Sequence, residues 1–148
     1  MYVTKKDLTD LRDRFRISIN KDHYLEVFIW KNHEALWRNI GDEKKDSAGS
    51  YIAMPYKIRV GKDFEEKVFP PKYGEIHLID GRRGSGTVAH EIQHFLIFWM
   101  LDHDLNVEDE GEDEWLSIES DIEKLCLLAG RITRLFWNAI YRRGLNDD

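Results

Sequence analysis

The stretch "TVAHEIQHFLIFWM", Thr87–Met100, contains two histidines four residues apart, with a glutamate directly after the first. Its other residues are mostly apolar, and the run contains neither Gly nor Pro, which predicts an α-helix from about Thr87 to Leu101. Residues i and i+4 of a helix project from the same face. His90 and His94 are therefore expected to point the same way, with Glu91 one step round the helix.

This order of residues is the H-E-x-x-H pattern. Two imidazoles one helical turn apart can both reach a single zinc ion, and a carboxylate beside them can take a proton from a water molecule. We predict that His90 and His94 bind Zn²⁺ and that Glu91 is the catalytic base. The rest of the helix is apolar, so we expect it to be buried on most sides, where a metal would compensate the buried polar groups. There are two alternatives: a chance match to the pattern, and a buried helix whose histidines are satisfied by core hydrogen bonds.

Predicted elements surround this helix. A strand "GEIHLI" (Gly74–Ile79) precedes it after a glycine-rich turn, an acidic loop (Asp102–Glu114) follows it, and a long helix then runs from Trp115 to about Arg143. The N-terminal half is predicted to contain a helix (Thr4–Phe15), a strand (Tyr24–Trp30), its hairpin partner (Ala35–Ile40), a loop (Gly41–Ser50) and a strand (Tyr51–Val60) in which Pro55 indicates an edge or a bulge.

These elements predict one α+β domain over residues 1–148. A small antiparallel or mixed sheet should pack against the H-E-x-x-H helix and the long C-terminal helix. Gly130 interrupts that last helix and costs about 1 kcal/mol relative to alanine, which suggests close packing against another element.

Charge and composition exclude several classes of protein. The net charge is −6, which argues against nucleic acid as a partner, because a phosphate backbone selects a basic surface. The N-terminus lacks a signal-peptide pattern, and the longest apolar run, "FLIFWML" (Phe95–Leu101), is too short to cross a bilayer. The single cysteine, Cys126, forms no internal disulfide. We predict a cytoplasmic protein without a membrane partner.

The strand, the turn and "TVAHEIQHF" together resemble the centre of the zincin metallopeptidases. The resemblance is greatest to the minimal zincin-like proteins of phages and prophages, and it covers roughly Gly74 to Gly144. It implies a zinc-dependent peptidase whose partner is a peptide or protein substrate. It also implies that "EIHLI" is an edge strand that aligns the substrate.

A catalytic zinc site usually has three protein ligands. The position of the third histidine in metzincins is occupied here by Met100, and His103 lies on the opposite helix face from His94 if the helix continues. In gluzincins, which "ESDIE" resembles, a later helix supplies a glutamate and then a supporting acid. That resemblance and the helix phase favour Glu119 as the third ligand, with Glu123 as the alternative.

The sequence therefore predicts a zinc-dependent hydrolase, most specifically a peptidase, in which a zinc-activated water attacks a carbonyl and Glu91 accepts the proton. The competing hypothesis is a non-catalytic zinc-binding accessory or interaction protein of a phage or prophage that retains the zincin fold.

Overall fold

A computed structural model describes residues 5–41, 48–81, 84–105 and 115–145, and it describes only the backbone of residues 85 and 115–120. In chain order the elements are β1 (Leu11–Ser18), β2 (Tyr24–Trp30), α1 (His33–Ile40), β3 (Gly49–Ala53), β4 (Lys57–Val60), β5 (Glu65–Val68), β6 (Lys72–Ile79), α2 (Ser85–Asp102) and α3 (Trp115–Arg142). No helix in these described ranges is long and apolar enough to cross a membrane.

Four strands form one mixed sheet in the order β1-β2-β6-β3. β1 is antiparallel to β2, β2 is parallel to β6, and β6 is antiparallel to β3. β4 and β5 form a separate antiparallel pair. The chain is therefore an α+β protein with a mixed sheet and a long C-terminal helix, as the sequence predicts.

Helices cover both faces of the mixed sheet. On one face, Val27 of β2 and Ile76 of β6 belong to a core with Ile92 and Phe95 of α2 and Phe136 of α3. The core of the other face, against α1, consists of Phe28, Trp30, Ala35, Leu36, Ile40 and Ile79. Because β2 is covered on both sides, its sequence is almost continuously apolar instead of alternating.

The predicted N-terminal helix over Thr4–Phe15 is wrong, although Thr4 itself lies outside the described residues. The chain instead forms strand β1 from Leu11. Phe15 and Ile17 are buried while the residues beside them are exposed, which is the period of two expected for a strand. Pairing of Phe15 with Val27 in the neighbouring strand thus overrides the helical pattern.

The predicted hairpin partner Ala35–Ile40 is also wrong, because this segment lies in helix α1. The side chain of Asn32 caps the helix by accepting a hydrogen bond of 2.9 Å from the Ala35 backbone N–H. Gly41, at φ 106°, ends it in a conformation that favours glycine.

The predicted strand Tyr51–Val60 is two strands. β3 ends at Ala53 and β4 begins at Lys57, with Pro55 between them. β3 begins at Gly49, inside the segment predicted as a loop; residues 42–47 of that loop lie outside the described residues. A further strand, β5, occupies a segment without a strand prediction.

The other predictions agree closely with the structure. β2 has the predicted bounds, β6 contains Gly74–Ile79, and α2 and α3 differ from their predicted ends by at most two residues. Of the predicted acidic loop, residues 106–114 lie outside the described residues.

A buried polar network lies on the sheet face that α1 covers. The indole N–H of Trp30 donates to Nδ1 of His77 at 2.9 Å, so the ring proton of this imidazole is on Nε2, which donates to Glu75 at 2.9 Å. Glu75 also accepts from Lys72 at 2.7 Å and pairs with Lys6 at 3.1 Å. Glu75 and His77 are fully buried, so these contacts replace their hydration.

Candidate metal site

Helix α2 presents its two histidines to solvent and buries the glutamate beside them. Ile92 and Phe95 anchor the helix on the sheet, whereas His90 and His94 are exposed and Glu91 is only 5% exposed. The expectation that the histidines are buried and need a metal for compensation is therefore wrong, because water can hydrate both rings.

The two imidazoles nevertheless converge. The Nε2 atoms of His90 and His94 are 3.1 Å apart, and their ring centroids are 4.8 Å apart. A tetrahedral zinc ion with Zn–N bonds of about 2.05 Å holds two nitrogens about 3.3 Å apart. The observed separation is within a few tenths of an ångström of that distance, so this pair of nitrogens fits two adjacent corners of a zinc coordination sphere.

These three side chains border an open cavity of about 450 Å³ between α2 and β3. Its lining is formed by Ala48, Gly49, Ser50 and Tyr51 around the start of β3, and by Gly86, Thr87, His90, Glu91 and His94 of α2. Burial raises the pKa of the Tyr51 phenol, and the negative charge of Asp102 raises it further, so the phenol stays protonated at neutral pH.

The first residue of β3 allows Glu91 to lie close to the strand. A Cβ atom added at Gly49 would be 3.3 Å from Cγ of Glu91, 3.1 Å from the His77 carbonyl oxygen and 3.1 Å from the Leu78 side chain. These contacts are tight for a Cβ atom, and the carbonyl oxygen belongs to a paired strand that cannot easily move. The absence of a side chain at Gly49 therefore leaves room for the Glu91 side chain.

The structure leaves the choice of the third ligand open. Glu119 belongs to α3, but its side chain lies outside the described residues. Glu123 is exposed and does not line the cavity, and neither does His103, which stacks on Trp99 with ring centroids 3.8 Å apart. Among the side chains that the structure describes, no group of three or more His, Cys, Asp or Glu residues has metal-binding geometry. Glu119 and Glu123 both stay predictions.

The edge strand beside α2 is β3, and not β6, which contains "EIHLI". β6 pairs with β2 on one side and with β3 on the other, so the predicted edge position of "EIHLI" is wrong. Sequence reasoning missed the contribution of β3 because it placed Gly49 and Ser50 in a loop. The apolar run "YIAM" that follows them is the only local signal of this strand.

We expect Gly49→Ala to lower the free energy of unfolding by about 1–3 kcal/mol, because the new methyl group overpacks the contact between β3 and α2. Gly86→Ala is the matched control, since it lines the same cavity but its added Cβ would meet no heavy atom within 4 Å. In a helix this control should be neutral or stabilising by up to about 1 kcal/mol. Urea denaturation measures both variants, and equal stabilities would contradict the tight packing at Gly49.

The cavity thus joins His90, His94 and Glu91 of one helix to the backbone of an edge strand. No protein-family model matches the chain, and no curated protein or solved structure matches it either.

Proposed function

We propose that this protein is a zinc-dependent peptidase of the zincin type, in which His90 and His94 bind the metal and Glu91 is the general base. The observation that carries the proposal is the 3.1 Å separation of the two Nε2 atoms beside a buried carboxylate. Helix geometry brings the two rings together, and it places them beside the Glu91 carboxylate at a spacing that fits zinc ligands.

The chemistry divides between the metal and Glu91. When bound, zinc supplies Lewis acidity that lowers the pKa of water and polarises a carbonyl group. Glu91 accepts a proton from the attacking water on a carboxylate oxygen and then passes this proton to the leaving amine. Its position against β3 holds the carboxylate at the wall of the cavity, where a substrate carbonyl would lie.

Helix α3 packs beside α2, the helix that carries the two histidines. Leu125 and Ala129 of α3 share a groove with Ile97 and Met100 of α2. Glu119 precedes Leu125 by six residues, which is about 9 Å along a helix. We favour Glu119 as the ligand, and Glu123 is the alternative.

Strand β3 gives the proposed substrate a place to bind. Within the described part of the chain β3 pairs with β6 alone, so its outer edge offers backbone N–H and C=O groups beside the cavity. An extended peptide can add to such an edge as another strand. This arrangement would bring a peptide bond to the histidines and Glu91.

Metal binding tests the proposal directly. Elemental analysis should find about one zinc ion per chain, and His90→Ala or His94→Ala should each weaken zinc binding by at least about 100-fold, since each removes a ligand. His103→Ala is the matched control, because this exposed histidine does not line the cavity. Loss of zinc binding in Glu119→Ala but not in Glu123→Ala would identify the third ligand. A native chain that binds no zinc would refute the proposal.

Activity separates the peptidase from the non-catalytic alternative. A peptide library incubated with the zinc-loaded protein should be cleaved, and a chelator should stop the cleavage. A protein that binds zinc at His90 and His94 but cleaves no peptide would instead be a zinc-binding accessory or interaction protein.

A further inference from the structure

Helix α3 carries a stripe of exposed residues on the face turned away from the protein core. The residues of this α3 stripe are Lys124, Leu127, Arg131, Arg134, Asn138 and Tyr141, and all of them are exposed. Their spacing alternates between three and four residues, which places them along one side of the helix. The opposite side is buried through Leu128, Ile132 and Phe136.

The charge of the α3 stripe opposes that of the whole chain. The chain has a net charge of −6, whereas the six residues of the stripe include three cations, and the acids Asp121 and Glu123, the latter exposed, lie beside its N-terminal end. Lys124 lies 3.8 Å from Asp121, but its side chain is 67% exposed, so this pair contributes little. The Arg131 guanidinium donates to the neutral carbonyl of Ile19 and keeps its full charge. The stripe is therefore a local basic surface on an acidic protein.

An open depression of about 590 Å³ lies among these cations and is lined also by Leu127, Cys126 and Gly130. Close packing at Gly130, expected from the sequence, is not found in the described part of the chain, where an added Cβ would meet no atom within 4 Å. Leu127 is 65% exposed at the edge of the depression. The surface thus combines positive charge, an exposed apolar side chain and a depression that can take a side chain of a partner.

We propose that the α3 stripe is a docking site for an acidic amphipathic helix of another protein. The alternating spacing is that of a seam between two helices packed side by side. Carboxylates of the partner would face Lys124, Arg131 and Arg134, and an apolar side chain would contact Leu127 and enter the depression. Nucleic acid fits less well, because the overall negative charge repels a polyanion and exposed leucine contributes nothing to phosphate binding. This inference is independent of the metal site.

A synthetic amphipathic peptide with glutamates and leucines at the complementary positions tests the proposal. About 20 residues suffice, because they span about 30 Å as a helix. Cys126 is the single cysteine of the chain and is exposed beside the depression, so a small ¹⁹F label on it reports the arrival of the peptide. We expect a saturable change in the ¹⁹F spectrum of the full chain.

Charge reversal then locates the binding site. Lys124→Glu combined with Arg134→Glu should weaken peptide binding by at least about tenfold. The matched control, Arg59→Glu with Lys62→Glu, makes the same charge change on the exposed β4–β5 pair and should alter binding by less than about twofold. Leu127→Asn, a change at a surface position, should also weaken binding, and it serves as the test if the double variant fails to fold.

Three results would overturn the proposal. The first is the absence of a saturable signal with the native chain. The second is nonspecific charge attraction without a docking site. It would be shown if both double variants weakened peptide binding equally, or if a scrambled peptide of the same composition bound as tightly as the designed one. The third is tighter binding of a DNA duplex of similar length, lost in the Lys124 and Arg134 double variant, which would make the stripe a nucleic-acid site.

Discussion

Replacing Glu91 with glutamine should reduce peptide hydrolysis by about 10²- to 10⁴-fold while the protein still binds zinc. Glutamine has almost the same shape, so it can occupy the buried position beside Gly49, but it cannot accept a proton from water. Because the proton moves only in the chemical step, kcat should fall and KM should change little. Steady-state rates on a cleaved library peptide and elemental analysis of the purified variant measure the two effects.

Glu66→Gln is the control for this prediction, because it makes the same chemical change at an exposed position of β5. It should keep the native rate within about twofold, as expected for surface substitutions away from the site. If Glu91→Gln hydrolyses peptides at the native rate, Glu91 is not the base. If it loses zinc as well as activity, the carboxylate supports the metal instead of moving the proton.

The sequence predicts best those elements whose own residues determine their structure. Helix α2 is mostly apolar and lacks Gly and Pro from Thr87 to Met100, and helix α3 has a regular apolar stripe, so local propensity and burial favour the same structure in each. β2 is rich in aromatic and β-branched residues and is buried on both faces. In these segments tertiary packing stabilises the same helix or strand that the local sequence already favours.

The failures occur where a distant segment decides the structure. The residues of β1 satisfy both a helical pattern and a strand pattern, and hydrogen bonds to β2 select the strand. The sequence predicts a hairpin strand for the segment of α1, because this segment directly follows β2. However, the partners of β2 are β1 and β6, and α1 instead packs over Trp30 and Phe28. A single sequence does not reveal which strands pair with each other.

In the candidate site, too, some features follow from the local sequence and others depend on distant segments. The spacing of His90, Glu91 and His94 predicts the convergence of the two rings, because it follows from helix geometry alone. The contribution of Gly49 depends on the position of β3 beside α2, which the sequence does not reveal. The choice between Glu119 and Glu123 depends on how α3 is placed across α2, and it stays a prediction.

The sequence does not predict the buried network around Glu75, because Trp30, Glu75 and His77 lie in segments with an ordinary strand pattern and Lys6 lies in the predicted N-terminal helix. Glu75 and His77 alternate along β6, so their side chains share the face that carries Phe28 and Trp30 of β2. His77 stacks on Phe28 with ring centroids 4.7 Å apart. Burial lowers the pKa of His77 and the hydrogen bond to Glu75 opposes this effect, so the imidazole is neutral at pH 7.

Glu75→Gln should lower the free energy of unfolding at pH 7 by about 3 kcal/mol, because it removes one charge from a buried set of partners and leaves Lys72 and Lys6 without their shared carboxylate. Burial alone would raise the pKa of Glu75, but hydrogen bonds from His77 and Lys72 and the charge of Lys6 outweigh it and lower the pKa to about 2. The stabilisation from the ionised form is therefore complete above the ordinary value of about 4.5 and is lost as the pH falls towards 2.

This pH dependence distinguishes the network from ordinary packing. Burial lowers the pKa of the His77 imidazole in the folded state. Below pH 6.5, protonation of His77 in the unfolded chain therefore lowers the stability of the native protein and of the Glu75→Gln variant alike. Only the native protein loses the Glu75 contribution below about pH 4.5, so the stability difference between the two should narrow there. Urea denaturation followed by tryptophan fluorescence at pH 7, 5 and 3.5 measures this difference in the free energy of unfolding. Glu34→Gln is the control, because the side chain of Glu34 is 81% exposed. A difference that stays constant over this range would show that Glu75 acts through its shape and not through its charge.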